Sequence, residues 1–269
     1  MKCLLVSDLH YALKQFDWTI AVAEEFDVVV VAGDHLDISG HVEGRAQIVV
    51  ILNYLRRLNA RVRLIVSSGN HDLDARNETG EKVARWMSKV RNLGVATDGD
   101  ALDIDGTLFT ICPWWDGPSS REQVAAQLAR DARRDKKRWI WVYHAPPDHS
   151  ATSWYSGRWE GDADLSGWIA EFVPDFVLSG HIHESPFQKQ GSWVDRIGST
   201  WVFNAGRQIG PTPTHVILNT ERQEALWFSL AGAEVVRLAE PFRRPVDELQ
   251  ALPDWLRPLA DRGTDPSRG

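Results

Sequence analysis

The sequence predicts an α/β protein built on a largely parallel sheet, and three observations carry that prediction. Short aliphatic runs, apolar on both faces, recur through the first seventy residues; each stops at a cluster of Asp, His, Ser, Asn or Gly; and the first two lead into stretches with helical spacing. Runs without alternation are the mark of strands buried on both sides. Strands that alternate with helices return in the same direction through right-handed crossovers. The polar tips are therefore expected along one edge, where ligands bind in open α/β sheets.

In order, Cys3 to Val6 reads as a strand that stops at Ser7-Asp8-Leu9-His10, followed by a helix from about Gln15 to Glu25. Asp27 to Ala32 is a second strand, ending at Gly33-Asp34-His35-Leu36-Asp37, and a helix from Val42 to Leu58 follows. A third strand, Val62 to Val66, runs into Ser67-Ser68-Gly69-Asn70-His71-Asp72. Glu78 to Asn92 reads as a helix. Leu102 to Ile104 and Thr107 to Ile111 flank Asp105-Gly106, a hairpin signal.

Arg121 to Lys137 is a charged amphipathic helix whose basic end, Arg133 to Arg138, reads as a solvated terminus complementing the helix dipole. Trp139 to Tyr143 is a strand that must stop at His144, because Pro146-Pro147 cannot continue a ladder. Asp148 to Asp164 lacks periodicity, which is the profile of a functional loop. Phe176 to Ser179 is a strand leading to Gly180-His181-Ile182-His183. Segments 193–197, 200–204, 215–219, 224–229 and 234–238 read as short strands of a second, more antiparallel sheet packed on the first. Residues 1–239 are expected to form one domain. Residues 240–269 form a tail rich in proline and charge, with a short helix over Val246 to Leu252 and a disordered last eight residues.

At 269 residues the chain is long enough to bury a sizeable core. Its net charge of -7 gives no general attraction for nucleic acid or an anionic membrane. No segment approaches the roughly 20 apolar residues of a membrane span, and the N-terminus lacks the pattern of a signal peptide. Cys3 and Cys112 form no C-x-x-C pair and read as buried thiols of a reducing compartment, so a cytoplasmic location is expected.

Five strand ends thus carry Asp8, His10, Asp34, Asn70, His71, His144, His181 and His183, and five of the nine histidines lie at these tips. An H-x-H after a glycine is, alone, more often a polar turn than a ligand pair. Clustered imidazoles and carboxylates without thiolate suit divalent Mn, Fe, Zn, Ni or Co. A shared aspartate can bridge two such ions, and a metal pair is a common device for displacement at phosphorus.

The ordered blocks DLH (8–10), GDHLD (33–37), GNHD (69–72), His144 and GHIH (180–183) resemble the calcineurin-like metallophosphoesterase superfamily over roughly residues 1 to 220. The resemblance implies a four-layer αββα sandwich of two mixed sheets, with the site at strand C-terminal ends. It implies two divalent ions, with Mn favoured. Asp8, His10, Asp34 and His183 would hold the first, and Asp34, Asn70, His144 and His181 the second. Attack on phosphorus would come from a hydroxide between the ions, with His71 as proton donor and Asp37 as the carboxylate that orients it.

Within the superfamily, HAPP, GHIHE and the strand pair around 197–206 look most like small bacterial phosphoesterases related to cyclic-nucleotide phosphodiesterases. A nucleotide-type diester is the expected substrate; a phosphomonoesterase and a nuclease are alternatives on the same site. Arg207 and Arg158 are candidate phosphate clamps. Trp154, with Trp114, Trp115, Tyr155 and Trp159, is a candidate surface for stacking a base. Asp72 is expected to support the Asn70-His71 loop, and His35, His41 and His149 to lie at the surface. A non-catalytic metal-bound scaffold that recruits a protein partner through its tail or its tryptophan loops is the reading from another class, and an intact His71 and Asp37 argue against it. Oligomeric state is not legible.

Overall fold

The computed structural model describes residues 1–256. Strands β1 (Lys2–Val6), β2 (Val28–Ala32) and β3 (Arg63–Ser67) run parallel, as their unbroken apolar sequences require. Helices α1 (Leu13–Val22) and α2 (Gly44–Asn59) make the crossovers. The residues of each strand divide by parity between two cores. Leu4, Val6, Val29, Val31, Leu64 and Val66 pack against the helices, while Cys3, Leu5, Val28, Val30 and Ile65 face a second sheet.

That second sheet has six strands in the order 194–197, 200–204, 176–179, 138–142, 107–111, 101–104. Its outer face carries Leu108, Trp139, Trp141, Val177 and Val202, covered by α4 (Pro118–Ala132) and α5 (Ala163–Phe172). Two helix layers enclosing two mixed sheets make the four-layer αββα sandwich.

The strands after residue 193 do not form one antiparallel sheet as expected. Val194–Ile197 and Thr200–Asn204 extend the second sheet, whereas His215–Asn219, Glu224–Ser229 and Gly232–Arg237 extend the first. His215–Asn219 pairs antiparallel with β1, from Lys2 opposite Asn219 to Leu5 opposite Val216. Local patterning cannot distinguish these outcomes, because each strand has an inward face whichever sheet it joins.

Four other segments differ from expectation. Over 78–92 only Met87–Arg91 is helical (α3), since Asn77 receives Thr79 N–H and Glu81 N–H and closes a turn between Ala75–Arg76 and Lys82–Val83. Helix α4 ends at Ala132, and Lys136 folds back to donate to the Asp131 and Ala132 carbonyls, so the basic end complements the helix from outside it. The 148–164 segment contains a short hairpin, Trp154–Tyr155 with Arg158–Trp159, and ends in the first turn of α5. Sequence reading missed that helix, although Asp162 caps it by accepting from Asp164 N–H and Leu165 N–H. Finally, Asp247–Glu248 is a strand on the edge of the first sheet, where a helix is expected over 246–252, and Leu256 is fully buried. The expected disorder of the last eight residues lies outside the described residues.

Candidate metal centre

The tips of β1, β2 and β3 and of strands 138–142 and 176–179 converge at one edge of the sandwich. The backbone turns there by leaving ordinary strand geometry: Asp8, His10, Asp34 and His181 have φ of 54°, 41°, 54° and 69°. Left-handed conformations at non-glycine residues cost energy and cluster at functional sites. Here they are over-determined by bonds across the tips. Asp8 N–H donates to the Gly33 carbonyl at 3.2 Å, His10 N–H to the Asp34 carbonyl at 2.9 Å, and His181 N–H to the Asp8 carboxylate at 3.0 Å.

Asp8, His10, Asp34 and His183 each offer one ligand atom, all within 4.8 Å of one another; Asp34, His144 and His181 form a second such group. Asp34 is common to both groups, and the H-x-H is divided between them, His183 in the first and His181 in the second. His10 Nε2 and His183 Nε2 point at one another across 3.1 Å, and Asp8 Oδ1 lies 3.2 Å from His183 Nε2. His144 Nε2 lies 3.3 Å from Asp34 Oδ2, while its Nδ1 donates to the Ala32 carbonyl at 2.7 Å, which leaves Nε2 free to bind a cation.

The donor set fits divalent cations. His144 Nε2 and Asn70 Oδ1 are buried with no hydrogen-bond partner among the described residues. Such atoms are rare because an unpaired buried polar group is expensive. A cation between them and the carboxylates would satisfy both. The electrostatics agree: burial favours the neutral forms, yet the His144 charge holds Asp34 down to about 2, and Asp34 pushes His144 up to about 10. The pocket therefore favours positive charge among its carboxylates, which a divalent ion supplies more fully than a proton. Burial pushes His181 down to about 4, keeping its imidazole neutral as a ligand must be.

Two motif glycines are present because nothing larger fits. A Cβ on Gly69 would lie 2.2 Å from Asp34 Oδ1 and 2.7 Å from His144 Nε2, and one on Gly180 would lie 2.2 Å from Asp8 Oδ2.

His71 stands beside the first group, its ring centroid 4.5 Å from that of His10 and its Nε2 4.0 Å from Asp34 Oδ2. The expected bond from Asp37 to His71 is not formed. Asp37 instead accepts Ser39 N–H within its own loop, and His71 Nδ1 is buried without a partner among the described residues. Asp72 does support the loop: fully buried, it accepts from Gly69 N–H, His35 N–H and Leu36 N–H and pairs with His35 Nδ1 at 2.9 Å. His35 is thus a buried structural residue, contrary to the surface position expected for it.

Of the candidate substrate groups, Arg207 is tied beside His183 by its backbone N–H, which donates to the His183 carbonyl at 3.1 Å. Arg158 pairs with Glu160, which engages its charge, and Trp154 packs edge-on against Trp159 at 4.6 Å. Neither lines the cavity beside His181; Trp114 and Trp115 do. The Trp114 ring rests 5.2 Å from His181 and 5.7 Å from His144. Sequence reading also missed Asp98, which accepts Ser68 N–H at 2.8 Å and anchors the loop leading to Asn70; its Thr-Asp-Gly-Asp setting looks like an ordinary turn.

Residues 1–185 match the sequence pattern of the calcineurin-like phosphoesterases. The chain belongs to that family. Its members are phosphoric ester hydrolases that depend on divalent metals, which accords with the donor set above. Solved structures agree on the fold. The protein TT1561 of Thermus thermophilus is similar at a TM-score of 0.56 and 12% identity, over 88% of this chain and 98% of that one. The purple acid phosphatase PPD1 from yellow lupin (Lupinus luteus) seeds is similar at 0.54 and 15% identity, over 89% of this chain and 52% of that one. No curated protein sequence matches significantly. Among the described residues, no helix is long and apolar enough to cross a membrane.

Proposed function

We propose that the chain is a dinuclear phosphodiesterase acting on a nucleotide-type diester, with Mn as the favoured metal. The observation that carries the reading is a pair of cavities beside the strand tips, one reaching the second cation group and the other reaching His71, whose ring stands next to His10 of the first. One of about 470 Å³ includes His181, and another of about 410 Å³ includes His71. A diester has two organic arms to place, a monoester only one.

Asp8, His10, Asp34 and His183 would hold one cation, and Asp34, Asn70, His144 and His181 the other. Such cations, when bound, acidify water and neutralise phosphate oxygens. The protein's own contribution is positional. The over-determined strand tips hold the donors in place, and Arg207, beside His183, is available to a non-bridging phosphate oxygen. His71, outside both donor sets, is placed to protonate the departing alkoxide from the cavity it lines. Trp114 presents a flat wall to the other arm. The free buried thiols of Cys3 and Cys112 accord with a cytoplasmic setting.

Hydrolysis of bis-p-nitrophenyl phosphate after chelation and Mn²⁺ readdition tests the reading. Turnover should return with Mn²⁺ and exceed that of p-nitrophenyl phosphate. Preference for the monoester would make the enzyme a phosphomonoesterase; no turnover with Mn²⁺, Fe²⁺, Zn²⁺, Ni²⁺ or Co²⁺ would leave the non-catalytic scaffold.

A further inference from the structure

The cavity beside His181 has a chemical character that the metal site alone does not impose. Its aromatic walls are Trp114 and Trp115, and its carboxylates are Asp116, Glu160, Asp162 and Asp164. Among the described residues, no lysine or arginine lines it. Glu160 pairs with Arg158 and Asp164 with Arg121, both from outside the lining. Asp116 and Asp162 have no such ion pair among the described residues.

Asp162 is held in place by neutral donors. It accepts from Tyr143 O–H, from Trp115 Nε1–H at 3.3 Å, and from two backbone N–H groups at the start of α5. Asp116 accepts Lys82 N–H at 2.9 Å. These bonds fix the carboxylates without neutralising them, so the cavity keeps a negative field next to a phosphate site. A second phosphate there would meet that field with no basic side chain to offset it. A positive nitrogen would gain from the carboxylates and from the two indole faces.

We propose that this cavity receives an ester arm ending in a primary or quaternary ammonium group and turns away arms that carry further phosphate. The proposal rests on the phosphodiesterase reading and narrows it: a nucleotide arm keeps the cavity of His71, and Trp114 and Trp115 face a cation in place of a stacked base.

The test compares two diesters of one shape: p-nitrophenyl phosphorylcholine and p-nitrophenyl 3,3-dimethylbutyl phosphate, in which carbon replaces the charged nitrogen. With the Mn²⁺-loaded enzyme, kcat/KM should favour the choline ester by roughly tenfold. The ratio should fall toward one in Asp116→Asn and in Glu160→Gln, the latter also freeing Arg158. Equal rates, or a faster neutral ester, would overturn the proposal. So would a higher kcat/KM for p-nitrophenyl thymidine 5′-phosphate, which would return the cavity to a base. In each of those cases bis-p-nitrophenyl phosphate is still hydrolysed; loss of that activity as well would instead remove the phosphodiesterase reading itself.

Discussion

His144 and His215 are both buried, both near the same edge of the sandwich, and their surroundings drive them in opposite directions. Burial works against a charge on His144, but Asp34 and Asp8 outweigh it and push its pKa up to about 10. His215 lies at the start of its strand between rings, stacked on Phe228 at 5.1 Å and tilted against Trp18 at 4.6 Å, and burial pushes it down to about 4. One environment is built to hold positive charge and the other to refuse it. Burial alone therefore says little about a histidine's role; the carboxylates at neighbouring strand tips decide it.

Removing the shared carboxylate should have the largest effect, because it takes away what His215 never had. Asp34→Ala is expected to lower hydrolysis of bis-p-nitrophenyl phosphate by roughly 10³-fold or more, since metal stabilisation at phosphorus amounts to several kcal/mol. Bound metal, measured by elemental analysis, should fall at both sites. Full occupancy with full activity would mean that Asp34 is not a shared ligand.

The next effect concerns an imidazole at the tips but outside both donor groups. His71→Asn should lower kcat by roughly 10²-fold or more on a diester with a poor alkoxide leaving group. It should do much less on a p-nitrophenyl ester, whose leaving group needs little protonation, and metal content should stay unchanged. Equal losses on both substrates would count against a proton-donating role.

A smaller, structural effect is expected at Gly180→Ala. The added Cβ, 2.2 Å from Asp8 Oδ2, must displace that carboxylate or its strand, at a cost of about 1–3 kcal/mol. Loss of metal from the group containing Asp8 before the group containing Asn70 would confirm that the clash is local. An unchanged melting temperature and full metal content would show that the tip yields freely.

These differences also explain what was legible in the sequence. The donors lie at the ends of short, doubly buried strands, and both features are written locally: an unbroken apolar run, then Asp, His or Asn. The division of His181 from His183 needed no long-range knowledge beyond a family resemblance. The placement of Glu224–Ser229 on the first sheet and the missing Asp37–His71 bond depend on partners far away in the chain or on loop geometry. Local pattern carries neither of these. The cavity of Trp114 and Trp115 is assembled from four separate segments, so its charge became readable only once Asp116 and Asp162 lined one space.

His215 offers the gentlest test of the comparison, through stability rather than activity. Its folded pKa of about 4 lies below the ordinary histidine value of 6.5, so the unfolded chain binds the proton more readily. The stability tied to a neutral His215 is fully present above pH 6.5. It is lost as pH falls from 6.5 toward 4, by about 3 kcal/mol in total, and below 4 this group adds no further loss. His215→Phe removes the titrating group and keeps a ring between Trp18 and Phe228. Urea unfolding at a series of pH values from 7 to 4 should therefore show a shallower decline for the variant than for the wild type. The variant also gives up the hydrogen bond from His215 Nδ1 to the Pro213 carbonyl, so it starts lower at pH 7 and the two curves draw together on acidification. Parallel curves would mean that His215 takes up a proton as readily in the folded protein as in the unfolded chain, and that burial between aromatic rings does not shift it.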